Sequence, residues 1–571
     1  MTEPRTGLPG QDSPLEPDSP PDPGSHLDPG SHLDPDGHPR HAAPPGTAPS
    51  HPGGDHPSHE RSSHGSKWWT LVAVCMGTFM LLLDVTIVNV ALPDIQSALH
   101  SSFSGLQWVV DAYALSLAAL LLTAGSLADM YGRRRLYIVG LAIFTGASLL
   151  CGVATSTLML QLSRALQGVG GAIMFSVSLA LLAGAFRGKD RGVAFGVWGA
   201  ITGLAVAIGP LLGGALTSGL SWRWIFFVNL PIGIAAVVIV VLRVGEARAP
   251  HARRPDWAGF VLFTVALSSL VYGLIESNQR SFTDSLVLSC LIAAGVLLIA
   301  FVLVEWRSKQ PMFDLNLFTL PTFTGGSVAA FGLSASIFAM LLYLVLYVQD
   351  VLRYSALGTG TRLLVISGGT LVTSAIAGRL SSKVPVRLLI GPGLLIVGVG
   401  LLLMRGLNAG SHWTHLIPGM LVSGLGIGLI NPPLASTAVG VVHPERAGMA
   451  SGINSTFRQV GIATGIALLG TLFSNKVATD VVTAAAKVPH LPVSGQQIAT
   501  AVQSGGAGHL ISQLPAAARG PVELIATSAF TSGLNMILLV AAIIAVASGV
   551  VALAAIRGRD FAAARSGQER A

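Results

Sequence analysis

From Trp68 to Ile556 the chain runs through fourteen apolar stretches, at 68–92, 106–127, 135–154, 158–182, 192–217, 224–243, 257–276, 284–304, 323–348, 357–380, 388–405, 416–440, 447–473 and 532–556. A helix needs about 20 apolar residues to cross a hydrocarbon core of about 30 Å. In lipid, a spanning segment must satisfy every backbone N–H and C=O internally, which leaves helices and closed barrels. Runs of this length without strict alternation are helical. Only 11% of the residues are charged and 51% are hydrophobic, against about 25% charged in soluble domains. So few charges cannot cover a globular surface, so the expected fold class is an all-α polytopic membrane protein of 14 transmembrane helices.

The basic residues divide between the connections. Alternate loops hold Arg133, Arg134 and Arg135; Arg187, Lys189 and Arg191; Arg243, Arg248, Arg253 and Arg254; Arg307 and Lys309; Arg379, Lys383 and Arg387; and Arg446. The opposite short loops hold Arg223, Arg280, Arg353, Arg362 and Arg405. The positive-inside bias places both termini in the cytoplasm of a multi-pass cell-membrane protein. The net charge of +7 therefore belongs to short loops and is not a nucleic-acid footprint. No cleavable signal is expected, so the first span serves as the insertion signal. Cys75, Cys151 and Cys290 lie inside apolar stretches and read as small buried hydrophobes.

Residues 1–66 are a different material, rich in Pro, Asp, Gly, Ser and His, with DPGSHL at 22–27 and again at 28–33. They are expected to form a disordered tail; histidines in a flexible coil fix no metal geometry. A second boundary comes from an internal echo. "AGSLADMYGRRRLYIVG" at 124–140 and "AGRLSSKVPVRLLIGPG" at 377–393 each join two spans through a short polar, basic turn. If they correspond, the chain divides into an N-terminal six-helix bundle at 67–245, an inserted helix pair at 246–310, and a C-terminal six-helix bundle at 311–556. The last would include a 474–531 segment on the outer side, followed by a tail at 557–571.

Charges inside the apolar stretches are the candidate functional residues, because each is costly in lipid and pairs or faces water. Asp84 in "MLLLDVTIVNVALP", Asp111 in "LQWVVDAYAL" and Arg164 in "LQLSRALQGVGGA" fall at similar depth on three helices of one half. A carboxylate there, facing a water-accessible cavity, can couple transport to protons or recognise a cation; the alternative is a structural ion pair. Asn454 and Arg458 are four apart and share a helix face, either lining a pathway or knitting two helices. Gly125, Asp129, Gly132, Arg133 and Arg135 form a Gly-x3-Asp-x2-Gly-Arg-x-Arg loop more specific than an ordinary basic loop requires. Asp129 there can cap a helix or pair with Arg133 or Arg135. Gly203, Gly209, Pro210, Gly213 and Gly214 allow close helix contact and a bend. Glu276, Glu305 and Asp350 read as interfacial charges at span ends, and Phe338, Tyr343 and Tyr347 as packing.

These motifs, with "WRWIFFVNLPIG" at 222–233 and "GMASGINSTFRQVG" at 448–461, resemble the fourteen-span drug:proton antiporters of the major facilitator superfamily, over 68–556. The resemblance implies the major facilitator fold, two six-helix bundles plus two inserted central helices, and alternating access driven by inward proton flow. It gives Asp84 and Arg164 to proton handling, Asp111 to a subset of exporters, Asp129, Arg133 and Arg135 to a cytoplasmic gate, and Gly209-Pro210 to the antiporter helix. Met130 stands where the loop is usually basic, and Ser381 and Ser382 replace the acid in the C-terminal echo. The expected function is proton-coupled export of amphipathic, cationic drugs or metabolites by a monomer, with protons as coupling ion, no other cofactor or metal, and no nucleic-acid partner. A dedicated exporter of one metabolite is the alternative. An uptake symporter is disfavoured by the Gly-Pro helix. A receptor that does not transport would act through the His-rich tail. An enzyme is not expected, since no zinc spacing, nucleophile–His set or phosphate loop is present.

Overall fold

The computed structural model describes residues 58–101, 103–246, 256–277, 280, 282–308, 313–381, 383–443, 446–489, 491–503 and 506–561. The tail expected at 1–66 lies outside them up to residue 57, and so do residues 562–571 of the tail at 557–571. The described chain is helical throughout. In order come α1 Ser58–Leu99, α2 Phe103–Tyr131, α3 Arg133–Gly152, α4 Thr157–Ala185, α5 Gly188–Gly219, the single turn α6 Trp224–Phe227, α7 Asn229–Arg243, α8 Trp257–Glu276 and α9 Ser285–Arg307. Then follow α10 Pro321–Leu346, α11 Ala356–Leu380, α12 Arg387–Leu403, α13 Ile417–Gly440, α14 Ala447–Ala485, α15 Gly495–Gln503, α16 Ala507–Gln513 and α17 Ala516–Ala555. Each of the fourteen apolar stretches lies largely within helix. Twelve helices among the described residues are long and apolar enough to cross a membrane. The α5 helix is not among those twelve, and α12, at 17 residues, is a shorter apolar helix.

Local chemistry sets the breaks. Ser156, Asp256 and Ser355 cap α4, α8 and α11 by accepting from backbone N–H groups at 3.2, 2.8 and 3.1 Å, which satisfies donors the first turn leaves open. Gly132 separates α2 from α3 at φ 107°, a backbone conformation that suits only glycine. The sixth apolar stretch is not one continuous helix but α6 and α7 in succession.

Two sets of six helices repeat the same packing. In the first, α4 packs on α2 and α3, and α1 and α7 pack together, α1 also on α5 and α7 also on α3. In the second, α13 packs on α11 and α12, and α10 and α17 pack together, α10 also on α14 and α17 also on α12. Every helix of one set thus has a counterpart in the other. Two long seams join the sets, α5 against α11 and α14 against α2. These are the same pairing with the halves exchanged. The α8–α9 hairpin packs on α2 and α14, beside one seam.

The 474–531 segment is largely folded, and it lengthens the C-terminal half. Helices α14 and α17 have 39 and 40 residues, about 58 and 60 Å at 1.5 Å per residue, roughly twice the hydrocarbon thickness. Ile498, Ala499 and Val502 of α15 join Val477 and Val481 of α14 and Val522 of α17 in the core of that half. Apolar residues in the segment, spaced to pack, were the signal in the sequence for this folding.

Candidate functional site

One buried polar network lies within the first half. Asp84 of α1 is fully buried and Arg164 of α4 is 1% exposed. Arg164 Nη1 donates to Asp84 Oδ2 and, at 2.8 Å, to Gln167 Oε1; its Nε donates to the Val109 carbonyl at 3.1 Å. Gln167 Nε2, one turn along α4, donates to Asp84 Oδ1 at 2.8 Å. Asn229 Nδ2 reaches the same oxygen at 3.2 Å and Ser148 Oγ at 3.0 Å. The guanidinium also lies over the Tyr113 ring, 4.2 Å from its centroid. Helices α1, α2, α3, α4 and α7 therefore converge on one ion pair.

The expectation that Asp84 faces open water is corrected by this geometry. Its carboxylate is sealed, with both oxygens bonded. A buried charge is tolerable only when paired and hydrogen-bonded, and the network supplies both. Ser148, Tyr113 and Asn229 were not singled out from sequence; an Asn in an otherwise apolar "FFVNLP" was the available signal for the last. Asp111 stands apart. It is half-buried, and its Oδ2 is sealed from solvent with no hydrogen-bond partner among the described residues. One turn earlier on α2, Trp108 packs on Tyr272 of α8, with ring centroids 5.7 Å apart.

At the end carrying the basic loops, Asp129 locks α2 to the other half. Its Oδ1 accepts from Arg133 Nε and Nη2 at 3.0 and 2.8 Å and from the Gly448 N–H at 3.0 Å. Its Oδ2 accepts from the Met449 N–H at 2.9 Å. Residues 448 and 449 open α14, whose N-cap makes no side-chain bond. A carboxylate from the opposite half thus satisfies donors of that terminus and sits in the favourable field of its dipole. Arg135 does not share Asp129; it pairs with Glu246 at 3.7 Å, and Glu246 also accepts from the Arg134 N–H at 3.1 Å. A side chain at Gly125 would meet the Gly448 carbonyl and Ser176 Oγ, so that glycine lets α2 and α14 touch.

Glycines of α5 do the same along the second seam. Gly192 and Gly196 meet the Gly378 backbone of α11, and a Cβ on Gly203 would lie 2.9 Å from Thr370. Gly209 faces the other way, onto Thr86 of α1, two residues beyond Asp84. Gly213 and Gly214 follow in the same helix, as does Pro210, whose side chain lies outside the described set.

In the second half, Asn454 and Arg458 of α14 are both buried. Both Arg458 terminal nitrogens donate to Asn431 Oδ1 of α13 at 3.2 Å. Asn431 was not anticipated. Of the charges read as interfacial, Glu276 and Glu305 lie in the last turns of α8 and α9 and are buried against the protein; Glu276 pairs with Arg280 at 3.1 Å and Glu305 accepts from the Phe313 N–H at 3.3 Å. Tyr343 packs on Phe473 and Tyr347 on Phe530, with ring centroids 4.6 and 6.2 Å apart.

Residues 74–466 match the Major Facilitator Superfamily. The chain belongs to this family. This makes it a multi-pass membrane transporter. Among its relatives are the multidrug resistance protein Stp of Mycobacterium tuberculosis, 38% identical over 71% of this chain and 75% of Stp, and the puromycin resistance protein pur8 of Streptomyces alboniger, 38% identical over 72% of this chain and 83% of pur8. The tetracenomycin C resistance and export protein of Streptomyces glaucescens is 33% identical over 86% of this chain and 91% of that protein. The fold is also that of a human organic anion transporter, MFSD10, with a TM-score of 0.56 at 15% identity, covering 84% of this chain and 99% of that one.

Proposed function

We propose that the chain is a fourteen-span antiporter that exports amphipathic organic compounds, cations among them, in exchange for protons. Both termini and the basic loops lie in the cytoplasm. The carrying observation is the unequal state of two carboxylates in one half: Asp84 sealed against Arg164, and Asp111 with an oxygen that no described residue satisfies. Asp111 is the group free to meet a cationic centre or a proton. Protonation of Asp84 would release Arg164, loosening a junction of five helices and tying proton binding to helix movement. The Asp129 lock holds the cytoplasmic end shut in the outward-directed state and parts in the inward-directed one. For a neutral substrate, a proton moving down 100 mV supplies about 2.3 kcal/mol, enough for a gradient on the order of 50-fold at 1.4 kcal/mol per decade; one-for-one exchange of a monovalent cation moves no net charge and is driven by the pH gradient alone. The test is efflux of a cationic dye into inverted vesicles carrying a proton gradient. The wild type should accumulate dye and dissipate the gradient, and Asp111→Asn, folded, should do neither. Normal dye transport and proton movement by Asp111→Asn would overturn the assignment.

A further inference from the structure

Arg458 is the exception among the buried arginines. Arg164 has Asp84, and Arg133 has Asp129. Arg458 is nine-tenths buried and has no carboxylate within ion-pair reach among the described residues. Its position in α14, eleven residues past Ala447, puts it about 16 Å along the helix from the basic end, near mid-depth of a bilayer. A guanidinium stays charged in proteins, and a buried cation without a counter-charge costs several kcal/mol. The cost is not met by hydrogen bonds either. Of five N–H donors the structure uses two, both on the single oxygen of Asn431.

A second orphan lies beside it. Asn454, one turn earlier on the same face of α14, is 3% exposed, and its Oδ1 is sealed with no partner among the described residues. Arg458 joins α14 to α13 through Asn431, and the two α14 side chains still hold unused donors and an unused acceptor among the described residues. The helix that carries them also packs on α2 and α4 of the opposite half.

We infer that Arg458, Asn431 and Asn454 form an anion subsite for the acidic group of the transported compound, a carboxylate gripped by the guanidinium fork. A planar guanidinium and a carboxylate match through two parallel hydrogen bonds, and Asn454 adds an acceptor for a hydroxyl or N–H of the same compound. This rests on the exporter reading and extends its range from cations to amphipathic acids and zwitterions. Asp111 and Arg458 then serve opposite charges from opposite halves.

The test uses a matched pair, dansylglycine and dansylglycinamide, which differ only in the carboxylate. Affinities are measured on the full chain in nanodiscs for the wild type, Arg458→Gln and Arg458→Lys. The wild type should prefer the acid at least ten-fold. Arg458→Gln should bring the ratio to about one, and Arg458→Lys, which keeps charge without the fork, should fall between. A wild-type ratio near one, or a ratio unchanged in folded Arg458→Gln, overturns the subsite. Should Arg458→Gln not fold, Arg458→Lys decides, since an unchanged ratio there also overturns it. Ethidium export by the wild type in inverted vesicles reports separately on the exporter reading, so a failed subsite and a failed exporter give different results.

Discussion

Asp84 and Arg164 show how a membrane half-bundle keeps two charges. The ion pair is held by Gln167, Asn229 and the Val109 carbonyl, so removing either charge strands the other among groups arranged for it. Breaking a buried pair from one side costs about 3–5 kcal/mol. Asp84→Asn should therefore lower the melting temperature of the purified protein markedly. Asp84→Asn with Arg164→Gln should lower it by less than the two single changes summed, because groups in contact couple by about 0.5–3 kcal/mol. Strict additivity would show that the pair does not hold the helices together. Sequence could place both charges at one depth through helical rise, but it could not tell a sealed pair from a wet carboxylate. That distinction depends on Ser148 and Asn229, ordinary polar residues brought in by α3 and α7. Arg458 was legible as an intramembrane charge for the same reason, while its lack of a carboxylate partner emerged only from packing.

At the scale of elements, the seams are built from glycine. The close approach of α2 and α14 depends on Gly125 against Gly448, and that of α5 and α11 on Gly192 and Gly196 against Gly378. Close contact between helices in lipid rests on packing, because the tails are as apolar as the side chains. Gly125→Val should insert atoms where the Gly448 carbonyl stands, at a cost of about 1–3 kcal/mol. The cost falls on the state with this end closed. A shift of about ten-fold toward the open state is expected per 1.4 kcal/mol, read as faster labelling of a Ser381→Cys reporter by an impermeant maleimide in inverted vesicles. Unchanged labelling would mean that this contact does not set the equilibrium. The loop spacing that made Asp129 and Arg133 conspicuous in the sequence is explained by this geometry. Gly132 supplies a turn only glycine favours, and Asp129 then reaches both Arg133 and the first N–H groups of α14. Its contact across 320 positions of chain could not be read from local spacing.

Across the whole molecule, the echo between 124–140 and 377–393 was the visible trace of a repeated six-helix plan. The repeat in packing is far clearer than the repeat in sequence, since helix positions are set by apolar faces and small residues that many sequences satisfy. The ends of the longest helices were least legible. The apolar stretch at 447–473 ends well before α14 does, and the helix continues because Val477 and Val481 pack with α15 and α17 in one core. Two similar halves joined by two equivalent seams suggest rigid halves that rock about a central site, and this can be tested by fixing one seam. A Cβ placed on Gly192 would lie 3.2 Å from Ser381 Oγ but closer still to the Gly378 carbonyl, so a cysteine there must shift the two helices slightly before it can pair with one at 381. In a background without Cys75, Cys151 and Cys290, Gly192→Cys with Ser381→Cys should cross-link under oxidant, stop dye export nearly completely, and regain export when the bond is reduced. Each single change should leave export insensitive to oxidant. Full export by the cross-linked protein would show that the α5–α11 seam does not open during transport, and that the two halves move by some route other than parting at the basic end.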